Sequence, residues 1–234
     1  MMQSTSRLVL FDVDGTMLDS RGAIVTAMAT AFIRCRLTPP PPPKIMAQIG
    51  LSASDMVTAL AEGHRDVPVS QIVAAYQDAY FSPPLLSCAN DLPRPGLAAM
   101  LEHVNTADTI MGIVTGRSRR SLDYAFDTLQ LEAHFPVRFT ADDGPSKPAG
   151  DLVMIAMAET GFTPEQTVMV GDTTFDILMA HAASVPAIGV AWGYHGKDAL
   201  KALGVPVASS MDDLPGVIET IRPTAEYSSP AAVS

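Results

Sequence analysis

The 234-residue sequence predicts an α/β fold, a doubly wound parallel sheet with an inserted α-helical segment, on three observations. Apolar runs of strand length recur along the chain, each ending in a polar or glycine turn. Stretches with helical periodicity separate these runs. One interval, from about Ser20 to Asn90, carries helical patterns with no strand between them.

The first run, "RLVLFD" at 7–12, is apolar throughout, as expected of a strand covered on both faces in a parallel sheet. "TIMGIVTG" at 109–116 and "TVMVGD" at 167–172 repeat the pattern. Shorter strand candidates follow at "VRFTA" (137–141), "PAIGVAW" (186–192) and "VPVAS" (205–209). Helical stretches fall at 118–129, at 148–160 behind Pro148, and at 174–183, 196–203 and 211–221. The alternation gives a Rossmann-like core.

The interval that breaks this rhythm shows helical patterns at 21–36, 52–63 and 70–80. In the first, Ile24, Met28, Ala31, Phe32 and Cys35 recur at helical spacing and form one apolar stripe. Five prolines at 39–43 read as a stiff, extended connection. The end, "RPTAEYSSPAAVS", has the composition of a frayed tail. The expected organisation is a core of residues 1–18 and 91–222, a helical cap of 19–90, and a flexible tail of 223–234.

With 47% hydrophobic residues the chain can bury a sizeable core. A formal net charge of -10 argues against nucleic acid or an anionic membrane as partner, because both select clustered Lys and Arg. Cys35 and Cys88 form no CxxC pair, so a disulfide framework or a zinc site is not expected, and reduced thiols fit a cytoplasmic protein. The four apolar residues before Asp12 are too few for a signal-peptide core, and no later run reaches membrane-span length. No internal repeat stands out. Thirteen methionines read as core filler.

In open α/β sheets ligands bind beyond the carboxyl ends of the strands, so the polar residues after each run are expected to converge. These are Asp12 and Asp14, Thr115 and Gly116, Lys147 in the loop before the helix at 148, and Asp172 with Asp176 one turn later. Asp12 and Asp14, one residue apart, repel each other unless something positive lies between them. Taken singly, Thr115 could merely cap a helix and Lys147 could be a surface lysine. Arg117, Arg119 and Arg120 read as a solvated helix start, with Arg117 retained as a substrate-contact candidate because it adjoins the Thr115–Gly116 turn. The histidines, 64, 103, 134, 181 and 195, lack metal-ligand spacing and default to packing or surface roles.

In order along the chain, "DVDGT", "VTG", the lysine of "SKPAGD" and "GDTTFD" resemble the four motifs of the haloacid dehalogenase superfamily, over residues 7 to 208. The resemblance implies a magnesium ion held by the Asp12 carboxylate, the Asp14 main-chain carbonyl and the Asp172 carboxylate, with Asp176 as orienter or further ligand. It implies Asp12 as a nucleophile that forms an aspartyl-phosphate, and Asp14 as general acid and base. Thr115, Gly116 and Lys147 would bind the phosphoryl oxygens, which gives a protein of charge -10 a local set of cations and donors.

Within the superfamily, an acid at Asp14 favours phosphate esters over carbon–halogen bonds, since only the former leave an oxygen to protonate. Lys44 alone among lysines falls in the cap interval, beside the prolines, which disfavours a Schiff-base phosphonate hydrolase. Ala53 and Ser54 stand where phosphosugar mutases of the β-phosphoglucomutase kind typically carry an arginine. Cap placement and "PAIGVAWGYHG" are similar to the phosphoglycolate phosphatase type, although Gly150 replaces a usual proline and Ser184 a usual glycine. The implied activity is a Mg²⁺-dependent phosphatase for a small phosphorylated metabolite, as monomer or homodimer. A phosphosugar mutase and a non-catalytic binding module are the alternatives. Substrate choice is expected on the cap, around Ser52, Ala53 and Ser54.

Overall fold

The computed structural model of the protein describes residues 6–61, 67–86 and 91–221. His64, Cys88 and the tail from 223, together with residues 88–90 at the end of the cap interval, lie outside the described residues.

Six strands form one parallel sheet. In chain order they are β1 (Arg7–Phe11), β4 (Thr109–Val114), β5 (Val137–Phe139), β6 (Thr167–Gly171), β7 (Ala187–Val190) and β8 (Val207–Ala208). Their spatial order is β5-β4-β1-β6-β7-β8. From β1 the chain first builds outward on one side and then returns to build the other, so a topological switch lies beside β1. Alternate residues of β1 face opposite layers. Val9 and Phe11 join a cluster with Leu101, Phe126 and Ile218, while Leu8 and Leu10 join another with Val153, Ile177 and Leu200. The helices that supply these layers are α6 (Leu97–Val104), α7 (Arg119–Leu129) and α11 (Leu214–Thr220) on one face. On the other are α8 (Asp151–Thr160), α9 (Thr174–Ala182) and α10 (Lys197–Lys201).

The remaining helices form the cap: α1 (Arg21–Arg34), α2 (Pro42–Met46), α3 (Ala53–Leu60), α4 (Val69–Tyr80) and α5 (Pro83–Leu86). They have their own apolar cluster, in which Ile24, Met28 and Phe32 of α1 meet Ile72 and Tyr80 of α4. Cys35 is half-buried against it. Two short strands, β2 (Leu18–Asp19) and β3 (Leu92–Pro93), pair antiparallel where the chain leaves the core and where it comes back.

Four expectations need correction. The proline run is not extended throughout: Pro42 and Pro43 open α2, because the fixed φ of proline suits the first helical turn and its missing N–H is not needed there. Helix α6 was not anticipated, although Leu97, Met100, Leu101 and Val104 are buried at helical spacing. The helix expected from 148 begins at Asp151, because residues 147 and 148 are occupied by the turn that sends Lys147 inward. The last strand is cut to two residues.

Candidate active site

Sheet register sets the site. Phe11 lies level with Ile113 of β4 and Val170 of β6, so Asp12, Thr115 and Asp172 emerge at one carboxyl edge. The Asp12 N–H donates to the Val170 carbonyl at 2.9 Å, which ties its backbone to β6.

Asp12, Asp172 and Asp176 offer carboxylate oxygens within 4.8 Å of one another, and all three side chains are buried. Lys147, 2% exposed, points at them from the loop before α8. Its Nζ donates to Asp12 Oδ1 at 2.5 Å and lies 2.6 Å from Asp176 Oδ1. The other Asp176 oxygen accepts from the Thr173 N–H at 3.0 Å and the Thr173 hydroxyl at 2.7 Å, a capping box on α9. Asp172 accepts from the Thr16 hydroxyl at 3.0 Å and from the Tyr194 N–H at 2.7 Å. Glycine is required beside it. A Cβ on Gly15, whose φ is +87°, would lie 2.2 Å from Asp172 Oδ2, and one on Gly193 would lie 2.0 Å from Asp172 Cβ.

The electrostatics follow from three carboxylates facing one ammonium. Burial, reinforced by Asp176 and Asp14 and opposed by Lys147, pushes the Asp12 carboxyl up to about 7. Burial, with Asp176 and Asp12, likewise raises Asp172. Burial works against the Lys147 charge, yet Asp12 and Asp176 win and hold its ammonium well above the usual range. Asp12 Oδ2 is buried and accepts no hydrogen bond. A negative excess with an unpartnered oxygen fits a hard divalent cation, which binds oxygen donors.

Asp14, also buried, points its carboxylate at Arg117. Arg117 Nε donates to Asp14 Oδ2 at 2.9 Å and Nη2 to Oδ1 at 2.6 Å, a bidentate grip. The same guanidinium reaches Asp91, at the start of the return ribbon, at 2.5 and 3.2 Å, and Ser20 Oγ at 2.7 Å. Burial alone would raise Asp91; Arg117 overrides it and lowers its carboxyl below the usual value. The reading of Arg117 as part of a solvated helix start is therefore overturned: it is 7% exposed because two carboxylates accompany it inward. Arg119 pairs instead with Asp143, and Ser118 caps α7.

Thr115 is buried, its hydroxyl accepting from the Arg117 N–H at 3.3 Å. Gly116 lies beneath the cap, where a Cβ would meet the carbonyl oxygens of Gly50 at 2.4 Å and Leu51 at 2.6 Å. Ser52 caps α3 and donates its N–H to Ser146 Oγ at 2.8 Å, next to Lys147. His195 was assigned no particular partner from sequence. Its Nδ1 accepts from the Thr174 N–H at 3.1 Å, which leaves the proton on Nε2 to face the Ala47 carbonyl of the cap at 3.3 Å. Thr16, Asp91, Thr173 and Tyr194 were also unforeseen. Only the Thr173–Asp176 capping box had a local sequence signature.

Fold and site together define an α/β protein of hydrolase type, with an acidic pocket at the carboxyl edge of a doubly wound sheet and a helical cap over it. A family model described as haloacid dehalogenase-like hydrolase matches residues 9–190, and the chain belongs to that family. A relative from Dickeya dadantii, described as probable phosphatase IndB, is 34% identical over 83% of this chain and 85% of its own. A phosphoglycolate phosphatase from Pseudomonas putida is 30% identical over 82% of this chain and 72% of its own. Among solved structures, a hydrolase from Pseudomonas syringae superposes with a TM-score of 0.81 at 23% identity, covering 93% of this chain and 100% of that one. This last likeness shows the fold alone. Among the described residues, no helix is long and apolar enough to cross a membrane.

Proposed function

We propose that the protein is a Mg²⁺-dependent phosphatase that hydrolyses a small phosphate monoester through an aspartyl-phosphate on Asp12. The observation that carries this reading is the Asp12–Lys147–Asp176 contact beside Asp172: a buried carboxylate held by an ammonium with one oxygen left unpartnered. Relatives named as phosphatases support it.

Asp12, Asp172, Asp176 and the Asp14 main-chain carbonyl would hold the magnesium, which supplies positive charge against the phosphoryl oxygens and the clustered carboxylates. Lys147 keeps Asp12 aligned and adds its own charge to the phosphoryl site. The Thr115 hydroxyl and Gly116 N–H donate to the same oxygens. An Asp12 oxygen attacks phosphorus in line, the P–O bond to the alcohol breaks, and Asp14, which must turn one oxygen off Arg117 and take up a proton before this step, gives that proton to the departing oxygen. In the second half a water attacks the aspartyl-phosphate, Asp14 takes the water proton, and inorganic phosphate leaves with the Asp12 carboxylate restored. Arg117, fixed on its far edge by Asp91 and Ser20, sets the direction of the Asp14 carboxyl.

Release of phosphate from p-nitrophenyl phosphate tests this. It is expected with Mg²⁺, to stop on chelation, and to fall by about a thousandfold or more in Asp12→Asn, with circular dichroism unchanged. Turnover that survives in Asp12→Asn would sink the covalent mechanism.

A further inference from the structure

Arg117 sits between two buried carboxylates from different parts of the chain. Its Nε and Nη2 donate to Asp14, and its Nη1 and Nη2 to Asp91, so each forked edge of the guanidinium grips one carboxylate. The Arg117 and Asp91 side chains are 5% and 7% exposed. Arg117 and Asp14 line the cleft between cap and core together with Ile24, Met56, Tyr80 and Phe81, whose surfaces are aliphatic and aromatic. One cation thus faces two anions, and only Asp14 has a part in the reaction set out above.

Asp91 is held in place independently of Asp14. It immediately precedes β3, where Leu92 and Pro93 pair with Asp19 and Leu18 of β2. The Tyr80 hydroxyl, from α4 of the cap, donates to Asp91 Oδ1 at 3.2 Å. Ser20, directly after β2, accepts from Arg117 Nη2 at 2.7 Å and steadies the guanidinium beside it. Burial alone would raise the Asp91 carboxyl, yet Arg117 holds it below its usual value, so it stays a carboxylate. An amide oxygen would also accept from this edge of the guanidinium. What a carboxylate adds is charge.

That charge matters when Asp14 works. To reach the oxygen of the leaving alcohol, Asp14 turns one oxygen off Arg117, and a buried guanidinium left without an anion is strongly disfavoured. With Asp91 on its other edge, the cation keeps a carboxylate whichever way Asp14 points. We propose that Asp91 is the standing counter-ion of Arg117, a positioning residue that frees Asp14 to turn between the guanidinium and the substrate. Without it the Arg117 charge falls to Asp14, which stays clamped and away from the leaving oxygen. The inference rests on the phosphatase reading above and assigns a part in it to a residue outside the four motifs.

The test is how kcat/KM depends on the leaving group, because kcat/KM covers the steps up to departure of the alcohol. p-Nitrophenolate leaves as a stabilised anion, whereas the alcohol of benzyl phosphate, a ring of similar size, needs its proton as it leaves. In Asp91→Asn, with Mg²⁺, kcat/KM for benzyl phosphate is expected to fall at least about tenfold further than that for p-nitrophenyl phosphate. Both esters are read on one preparation, so the ratio does not depend on the fraction of protein folded. Tyr80→Phe takes a hydrogen bond from Asp91 but leaves its charge, and is expected to keep the ratio within about threefold of that of the unaltered protein. An unchanged ratio in Asp91→Asn overturns the proposal. A ratio displaced as far in Tyr80→Phe as in Asp91→Asn also overturns it, because the place of the ribbon and not its charge would then be decisive. Both outcomes leave the phosphatase reading standing. No phosphate from either ester with the unaltered protein removes that reading, and the inference with it.

Discussion

The core pocket and the cap cleft meet at residues 50–52 and 116, yet they are built on opposite principles. On the core side, three carboxylates and a lysine are buried together, the carboxylates accepting from Thr16, Thr173, Tyr194 and Lys147. On the cap side, helices present mostly carbon, and at the border the Arg117 guanidinium pairs with Asp14 and Asp91 while that of Arg120 stacks on Phe81. The difference teaches that the chain gathers its buried charge on one side of the boundary and its apolar surface on the other. The sheet edge collects carboxylates and a lysine, whereas the inserted helices contribute mostly aliphatic and aromatic side chains.

Substitutions can break or sharpen that contrast. The largest effect on stability is expected from Lys147→Met, which leaves Asp12 and Asp176 facing each other without their cation: a loss of about 3 to 5 kcal/mol in urea unfolding of the metal-free protein. A loss under 1 kcal/mol would mean that the core side is not organised around that ammonium. Gly116→Ala strikes the border, where its Cβ would force back the Gly50 and Leu51 carbonyls. We expect kcat/KM to fall by about a hundredfold through misplacement of the cap turn, with the urea midpoint little changed.

Asp91 probes the join between the two regions, and its effect depends on pH. Its folded-state carboxyl is lowered below the ordinary 3.8, chiefly by Arg117. The stabilisation is thus fully present above that unfolded value and is lost as pH falls through the lower folded one. Asp91→Asn is expected to cost about 1 to 3 kcal/mol at pH 7 and to flatten the acid limb of the stability curve below pH 4. An unchanged acid limb would show that Arg117 does not depend on the ribbon. The smallest effect is remote from both regions. Ser184 adopts a φ of 58°, which glycine accepts freely, so Ser184→Gly is expected to add about 1 kcal/mol without altering kinetics.

The sheet was legible because its strands are continuous apolar runs and the residues that end them differ in kind from those inside. The candidate site was legible for the same reason: Asp12, Asp14, Lys147, Asp172 and Asp176 each follow such a run or its connecting loop. What sequence did not show were partnerships across long separations. Arg117 meets Asp14, 103 residues away, and Asp91, 26 residues away, and no local pattern announces either. Helix α2 was missed because a proline run looks alike whether it stays extended or starts a helix until the residues after it are packed. Helix α6 did carry a readable stripe.

Asp176 has two occupations, closing the first turn of α9 and facing Lys147. A descendant that abandoned catalysis would still need this aspartate to keep the helix from unravelling, so its retention says little about whether such a protein works. Asp12 Oδ2 has no architectural duty, and drift would erase it first.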